Sequence, residues 1–194
     1  MGLKSSTLLQ EEDIKEIQQE TGFSPKQITR LYSRFLTLDK YNLGTLSRDD
    51  FLHIPELAIN PLGDRIVDAF FMSETDVNGY VDCNFKQFAR TMAHFRPIDS
   101  NTPNPLNSRE EKLKFTFRIY DIDGDGKISK DDLICLILHM MVGVNISDDQ
   151  LGCIADRAIM DAGCAQEQMI SFEDLKKVMK NVDLNAKMSI RFLA

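Results

Sequence analysis

Apolar residues recur along almost the whole chain at the three- and four-residue spacing of one helix face, broken by short polar loops. Several of the predicted helices begin with a hydroxyl residue followed three positions later by Glu or Gln. In that pairing each side chain satisfies a backbone amide that the helix leaves unbonded. Thr7 with Gln10, Ser24 with Gln27, Ser108 with Glu111 and Ser147 with Gln150 are the examples. Pro25 and Pro61 each follow a capping residue, Ser24 and Asn60, where the missing proline N–H costs nothing because a first-turn amide has no helical partner. The fold class predicted is all-α.

Between the helices one loop pattern returns at a spacing of roughly 35 to 45 residues, which marks a supersecondary repeat. Its four copies are DKYNLGTLSRDD from Asp39, ETDVNGYVDCNFKQ from Glu74, DIDGDGKISKDD from Asp121 and GCAQEQMISFED from Gly163. Leu46, Val81, Ile128 and Ile170 stand near the eighth position of each copy. There a short β pairing is expected between neighbouring loops, the first with the second and the third with the fourth. Residues 24–95 then make an amino-terminal lobe behind a first segment, 1–23, and residues 109–183 make a carboxy-terminal lobe ahead of a tail, 184–194. The stretch RPIDSNTPNPLNS, 96–108, has three prolines and no helical pattern, so it is expected to be a linker that lets the lobes reorient.

A hard divalent cation held by such a loop takes oxygens from positions one, three, five, seven (a backbone carbonyl), nine (often through water) and twelve, with Gly at six for the sharp turn. The third loop meets every demand: Asp121, Asp123, Asp125, the carbonyl of Lys127, Ser129 and Asp132 fall on the ligand positions, and Gly126 sits at six. The first loop places Tyr41 and Leu43 at positions three and five. The second begins well with Glu74, Asp76, Asn78 and Gly79, but two extra residues leave its twelfth position at Phe85 counted from the front or Gln87 counted from the back. The fourth has Gly163 and Ala165 at positions one and three and Gln168 at six. One Ca²⁺ site is therefore expected, with the other loops surviving as structural units. The closing acid Asp132 is one methylene shorter than Glu and tends to offer one oxygen rather than two, which disfavours Ca²⁺ relative to six-coordinate Mg²⁺.

A formal charge of -7 with no run of Lys or Arg argues against nucleic acid and leaves cations and basic peptides as partners. Cys83, Cys135, Cys153 and Cys164 form no C-x-x-C pair and follow no secretory signal, so a reduced cytoplasmic chain is expected, each thiol serving as a small core residue. No apolar run approaches the ~18 residues of a membrane span. His53, His94 and His139 lie on three separate helical segments with no nucleophile motif around them, which argues against an enzyme. The stretch LICLILHMMVGV, Leu133 to Val144, is apolar on more faces than one lobe core requires. It reads either as a core helix or as the wall of a groove for a partner helix, with Met140 and Met141 adding plasticity. The opening MGLKSS fits the pattern for myristoylation of Gly2. One acyl chain gives only marginal membrane binding, and Lys4 alone before Glu11, Glu12 and Asp13 supplies no second, electrostatic anchor.

The stretches IPELAINPLGDRI, AHFRPI, PLNS, MVGVNIS, QLG, IADR and KMSIRFL resemble those of the calcineurin B homologous proteins, a family of the EF-hand superfamily, along nearly the whole chain. The resemblance implies an acylated, calcium-binding adaptor with four EF-hand units. Such adaptors hold an amphipathic juxtamembrane helix of a membrane transporter, the Na⁺/H⁺ exchanger, as its cofactor, and act in protein transport. It places the chain in the cytoplasm and, through the acyl group, peripherally at the cytoplasmic face of the plasma membrane or endomembranes. Leu133 to Val144 and Val178 to Leu184 resemble the family's nuclear-export segments, which implies nuclear shuttling. The alternative is a regulatory subunit or inhibitor of a calcineurin-like phosphatase, gripping a helix of the catalytic subunit with the same groove. The family's fourth loop usually binds calcium and its third usually closes on Glu; Gly163, Ala165, Gln168 and Asp132 depart from that pattern.

Overall fold

The computed structural model describes residues 9–71, 82–98, 104–141, 143–164 and 168–188. Gly2, Thr7, Val81, the ligand positions of the second loop from Glu74 to Gly79, and Ala165 lie outside the described residues. The elements in order are α1 (Glu11–Thr21), α2 (Pro25–Leu38), β1 (Thr45–Leu46), α3 (Arg48–Leu52), α4 (Pro55–Ala58), α5 (Gly63–Phe71), β2 (Cys83–Asn84) and α6 (Phe85–Ala93). They continue with α7 (Arg109–Tyr120), α8 (Lys130–Met140), α9 (Asp148–Asp161), α10 (Phe172–Val178) and α11 (Leu184–Lys187). Among the described residues the protein is all-α apart from these two-residue strands and one isolated bridge.

The local capping signals set most helix starts. Ser24 accepts from the Gln27 amide while Gln27 accepts from the Ser24 amide, and Ser147 and Gln150 repeat the exchange. Ser108 accepts from the Glu111 amide at 3.2 Å and opens α7. Two expected starts move. The first helix begins at Glu11, with Asp13 accepting from the Gln10 amide. Pro61 is not the first helical residue: Asn60 caps the Leu62 amide, and α5 starts at Gly63.

The loops pair as two couples. Thr45 pairs with Asn84 and Leu46 with Cys83 in an antiparallel ladder, and Ile128 bridges Ile170 with reciprocal 2.9 Å bonds. The partner of Leu46 is thus Cys83, not the expected Val81. Asn84 and Gln87 exchange cap bonds at the head of α6, as Ser129 and Asp132 do at α8, and this fixes where each loop ends. Of the two counts for the second loop, the cap at α6 matches the one whose twelfth position is Gln87.

The larger core belongs to the amino-terminal lobe, where Phe35, Phe51, Phe70 and Phe88 stack around Ile28, Leu31 and Leu46. Helix α1 is part of it, since Ile17 and Phe23 are buried there. A smaller core in the carboxy-terminal lobe gathers Phe117, Ile128, Ile159, Cys164 and Ile170. A third cluster joins the lobes: Ala69 of α5 packs with Phe115 and Ile119 of α7 and with Met188.

Polar clasps flank that joint. Lys112 of α7 is wholly buried, and its Nζ donates to the carbonyls of His94 at 2.6 Å and Arg96 at 2.5 Å. Arg96 donates to Thr21 O at 2.6 Å and Asn104 to Glu20 O at 2.9 Å, so both ends of the linker are tied to the carboxy terminus of α1. His94 stacks on Phe115 with ring centroids 4.9 Å apart. These contacts oppose the free reorientation expected from a proline-rich stretch, because its flanks carry polar side chains that find buried carbonyls.

The cysteines divide. Cys83 and Cys164 are buried as expected, whereas Cys135 is half-buried and Cys153 exposed; none of the four is in a disulfide. Burial pushes the Cys83 thiol up to about 12, which makes it inert. Among the described residues no helix is long and apolar enough to cross a membrane.

Candidate metal centre

The third loop joins α7 to α8. Asp121 ends α7, and Gly124 and Gly126 take left-handed φ values of 73° and 85°, which turn the chain sharply enough for successive side chains to face one point. Asp121, Asp123 and Asp132 each bring a carboxylate oxygen within 4.8 Å of the others. Asp121 and Asp132 are buried there. Asp125 stands apart from this trio and accepts from the Lys127 amide at 2.8 Å.

Backbone amides orient the acids. Asp121 accepts from Gly124 N at 2.9 Å and Gly126 N at 3.0 Å, and Asp123 accepts from Asp125 N at 3.2 Å. Burial pushes the Asp121 carboxyl up, the Gly126 and Gly124 amides pull it back, and the charges of Asp125 and Asp132 push it up again. A cation among these acids would offset the charges that push Asp121 up. The donor set is all oxygen, which suits Ca²⁺ or Mg²⁺ rather than a soft metal.

Asp132 has a second employment. Its Oδ2 accepts from Ser129 N at 2.8 Å and from the Ser129 hydroxyl at 2.7 Å, while Oδ1 accepts from Ile122 N at 3.1 Å. The short acid thus serves the α8 capping box with one oxygen and leaves the other as the one nearer the loop's opening residues. Ser129, at position nine, is engaged in the same box, and position nine of such loops often reaches an ion through water.

Among their described residues, the first and fourth loops keep left-handed turn positions while their sequences lack ligand oxygens. In the first loop Asn42 and Gly44 adopt φ values of 52° and 79°, matching Gly124 and Gly126. Asp39 accepts from Leu43 N at 2.8 Å and Gly44 N at 2.7 Å, as Asp121 does from its own turn. Tyr41 and Leu43 instead project into solvent, at 78% and 70% exposed, where oxygens would be needed. In the fourth loop Gln168 takes the left-handed turn with φ of 56°, a strained conformation for a residue with Cβ, so the missing glycine does not abolish the turn. Gly163, at position one there, offers no side-chain oxygen.

Toward the far end of α8 and on α9 lies an unburied apolar surface. Of α8 only Asp132 and Leu136 are buried. Leu138 and Met140 are 48% exposed, Val144 55%, and Ile154 of α9 44%. Val144, Ile146, Asp149, Cys153 and Ile154 help line one depression between the loop after α8 and α9. The stretch Leu133 to Val144 serves both sequence readings in part: Leu136 is buried and Leu133 packs against the carboxy-terminal core, while Leu138, Met140 and Val144 lie open. Val178 to Leu184 is not one amphipathic helix: α10 ends at Val178, a single 3-10 turn follows, and Leu184 begins α11. The three histidines stay apart. His94 is buried against Phe115, while His53 and His139 are exposed and face carbonyls of their own helices.

An EF-hand domain pair matches residues 110–193. Over nearly its full length the chain is similar to calcineurin B of Naegleria gruberi, with 44% identity over 98% of this chain and 99% of that protein. The type 1 calcineurin B of Dictyostelium discoideum is 36% identical over 96% of each chain. Calcineurin B of Schizosaccharomyces pombe is 35% identical over 93% of this chain and 96% of that one.

Proposed function

The chain belongs to the calcineurin B family of EF-hand proteins, and from that premise we propose that it is the regulatory subunit of a calcineurin-like protein phosphatase. The observation that carries the reading is the apolar surface at the far end of α8 and on α9, where Leu138, Met140, Val144 and Ile154 are left half-exposed. An amphipathic helix of the catalytic subunit covers it, burial supplies most of the affinity, and the anionic protein favours basic flanks.

Loop three holds one Ca²⁺, or Mg²⁺ in its place, through Asp121, Asp123, Asp125, the Lys127 carbonyl, Ser129 and Asp132. The ion's contribution is to neutralise the crowded carboxylates and fix the angle between α7 and α8. Gly2 carries a myristoyl group that contributes a marginal, partner-assisted hold on the cytoplasmic face of a membrane. Expectations of transporter binding and of membership in the calcineurin B homologous branch rest on the stretches IPELAINPLGDRI, AHFRPI, PLNS, MVGVNIS, QLG, IADR and KMSIRFL. They describe the same groove with a different helix in it. The near full-length similarity to calcineurin B proteins weighs toward the phosphatase.

The deciding experiment titrates two peptides into the full chain, with Ca²⁺ and with chelator: a phosphatase-derived helix and an exchanger-derived juxtamembrane helix. The phosphatase helix should bind at micromolar concentration or below and lose at least severalfold in affinity on chelation. Binding of the exchanger helix alone would transfer the function to the transporter reading. Binding of neither would remove the groove as a helix site.

A further inference from the structure

Helix α7 runs into the cation loop, and the backbone groups at its end are held from the other lobe. The last carbonyls of a helix have no partner within it. Here Arg65, on α5 of the amino-terminal lobe, reaches across to three of them. Its Nε donates to Ile119 O at 3.2 Å, and its Nη2 donates to Arg118 O at 3.2 Å and to Asp121 O at 3.0 Å. The guanidinium is itself aimed: Nη1 lies 3.5 Å from Asp68 Oδ2, and the other oxygen of Asp68 is held by Arg48 Nε at 2.9 Å. The Arg65 side chain is 15% exposed and lies beside the apolar joint of Ala69, Ile66, Phe115 and Ile119.

We propose that Arg65 is a positioning residue of the cation loop, fixing the end of α7 so that cation affinity in one lobe depends on its docking to the other. This rests on the reading of loop three as a cation site. Asp121 supplies the loop's first carboxylate, and its backbone carbonyl is one of the three oxygens Arg65 holds. Losing that anchor frees the helix end and with it the direction of the Asp121 side chain. A fixed positive charge near the carboxylates has the opposite tendency, since it repels an incoming cation. The two effects differ in sign, and the docked geometry makes positioning the stronger. Linkage then runs both ways: an ion in loop three tightens the contact of Arg65 with α7 by the same factor.

Calorimetric Ca²⁺ titration of the full chain, Arg65→Lys and Arg65→Gln separates these effects, because lysine keeps the charge but lacks the planar fork that meets several acceptors. Both variants should bind Ca²⁺ about tenfold more weakly than the parent, within the usual range of coupling between sites. The proposal is overturned if Arg65→Lys binds like the parent while Arg65→Gln binds equally or more tightly, for then only charge matters. Absence of Ca²⁺ binding by the parent chain would instead remove the cation-loop reading. Should either variant lose its helical circular dichroism, the parent alone decides. Ca²⁺ should slow hydrogen exchange of the Arg65 Nε–H and of the α5 amides about tenfold, and unchanged exchange there in the Ca²⁺-bound parent would overturn the proposal.

Discussion

Replacing Lys112 by Met should alter stability in a way that depends on pH. The side chain is wholly buried, with its Nζ against the His94 and Arg96 carbonyls. Burial first, and the Arg96 guanidinium second, bring its pKa down from 10.5 to about 8. Between those values the unfolded chain keeps a proton that the folded chain has released. Stability therefore rises with pH across that window, and the folded state carries the full penalty of the charged form below pH 8. At about 1.4 kcal/mol per pH unit, the rise from pH 8 to pH 10 is at most about 3 kcal/mol. The variant has no proton to lose, so it lacks this rise. It also orphans two carbonyls, which costs about 1–3 kcal/mol at neutral pH, but that term is the same at both ends of the window. The assay is urea unfolding of both proteins in chelator at pH 7.5 and pH 10. Thiols and phenols that titrate in the same range are common to both and cancel in the difference. The parent should gain about 2–3 kcal/mol more than the variant. An equal change in the two proteins would show that Lys112 titrates as an ordinary exposed lysine, and the argument from burial would be wrong.

Two further outcomes follow from the packing and the loop geometry. Gly63→Ala should destabilise the amino-terminal lobe by ~2–3 kcal/mol in thermal unfolding, because a Cβ at that position falls on the Leu57 carbonyl oxygen, which belongs to backbone and cannot swing away; a melting temperature equal to the parent's would contradict it. Asp132→Glu should tighten Ca²⁺ about tenfold by calorimetry and lower the relative preference for Mg²⁺, since the longer acid can keep the Ser129 amide and still turn both oxygens toward an ion. Unchanged Ca²⁺ affinity would sink the argument from side-chain reach.

The chain's local chemistry could be read directly because its partners are only a few residues apart. The exchange between Ser24 and Gln27, or Ser147 and Gln150, closes within one helical turn, and the run Asp121, Asp123, Asp125 places oxygens around one short turn whatever surrounds it. Even the loss of ligands at Tyr41 and Leu43 was visible, although not that Asn42 and Gly44 preserve the empty turn's backbone. Pairing Leu46 with Cys83 required the register of a second loop, which α6 fixes through Asn84 and Gln87. That Asp125 lies outside the cluster of Asp121, Asp123 and Asp132 is a matter of side-chain direction that spacing does not reveal. Nothing near Arg65 or Lys112 in sequence marks the carbonyls they hold, which lie 53 to 56 and 16 to 18 residues away. Sequence periodicity determined which segments are helices and which loop could take a cation. Only the tertiary structure decided that the lobes dock, that a buried lysine and a guanidinium join them, and that the apolar face of α8 stays open, because each outcome depends on which distant groups compete for the same buried surface or the same orphaned carbonyl.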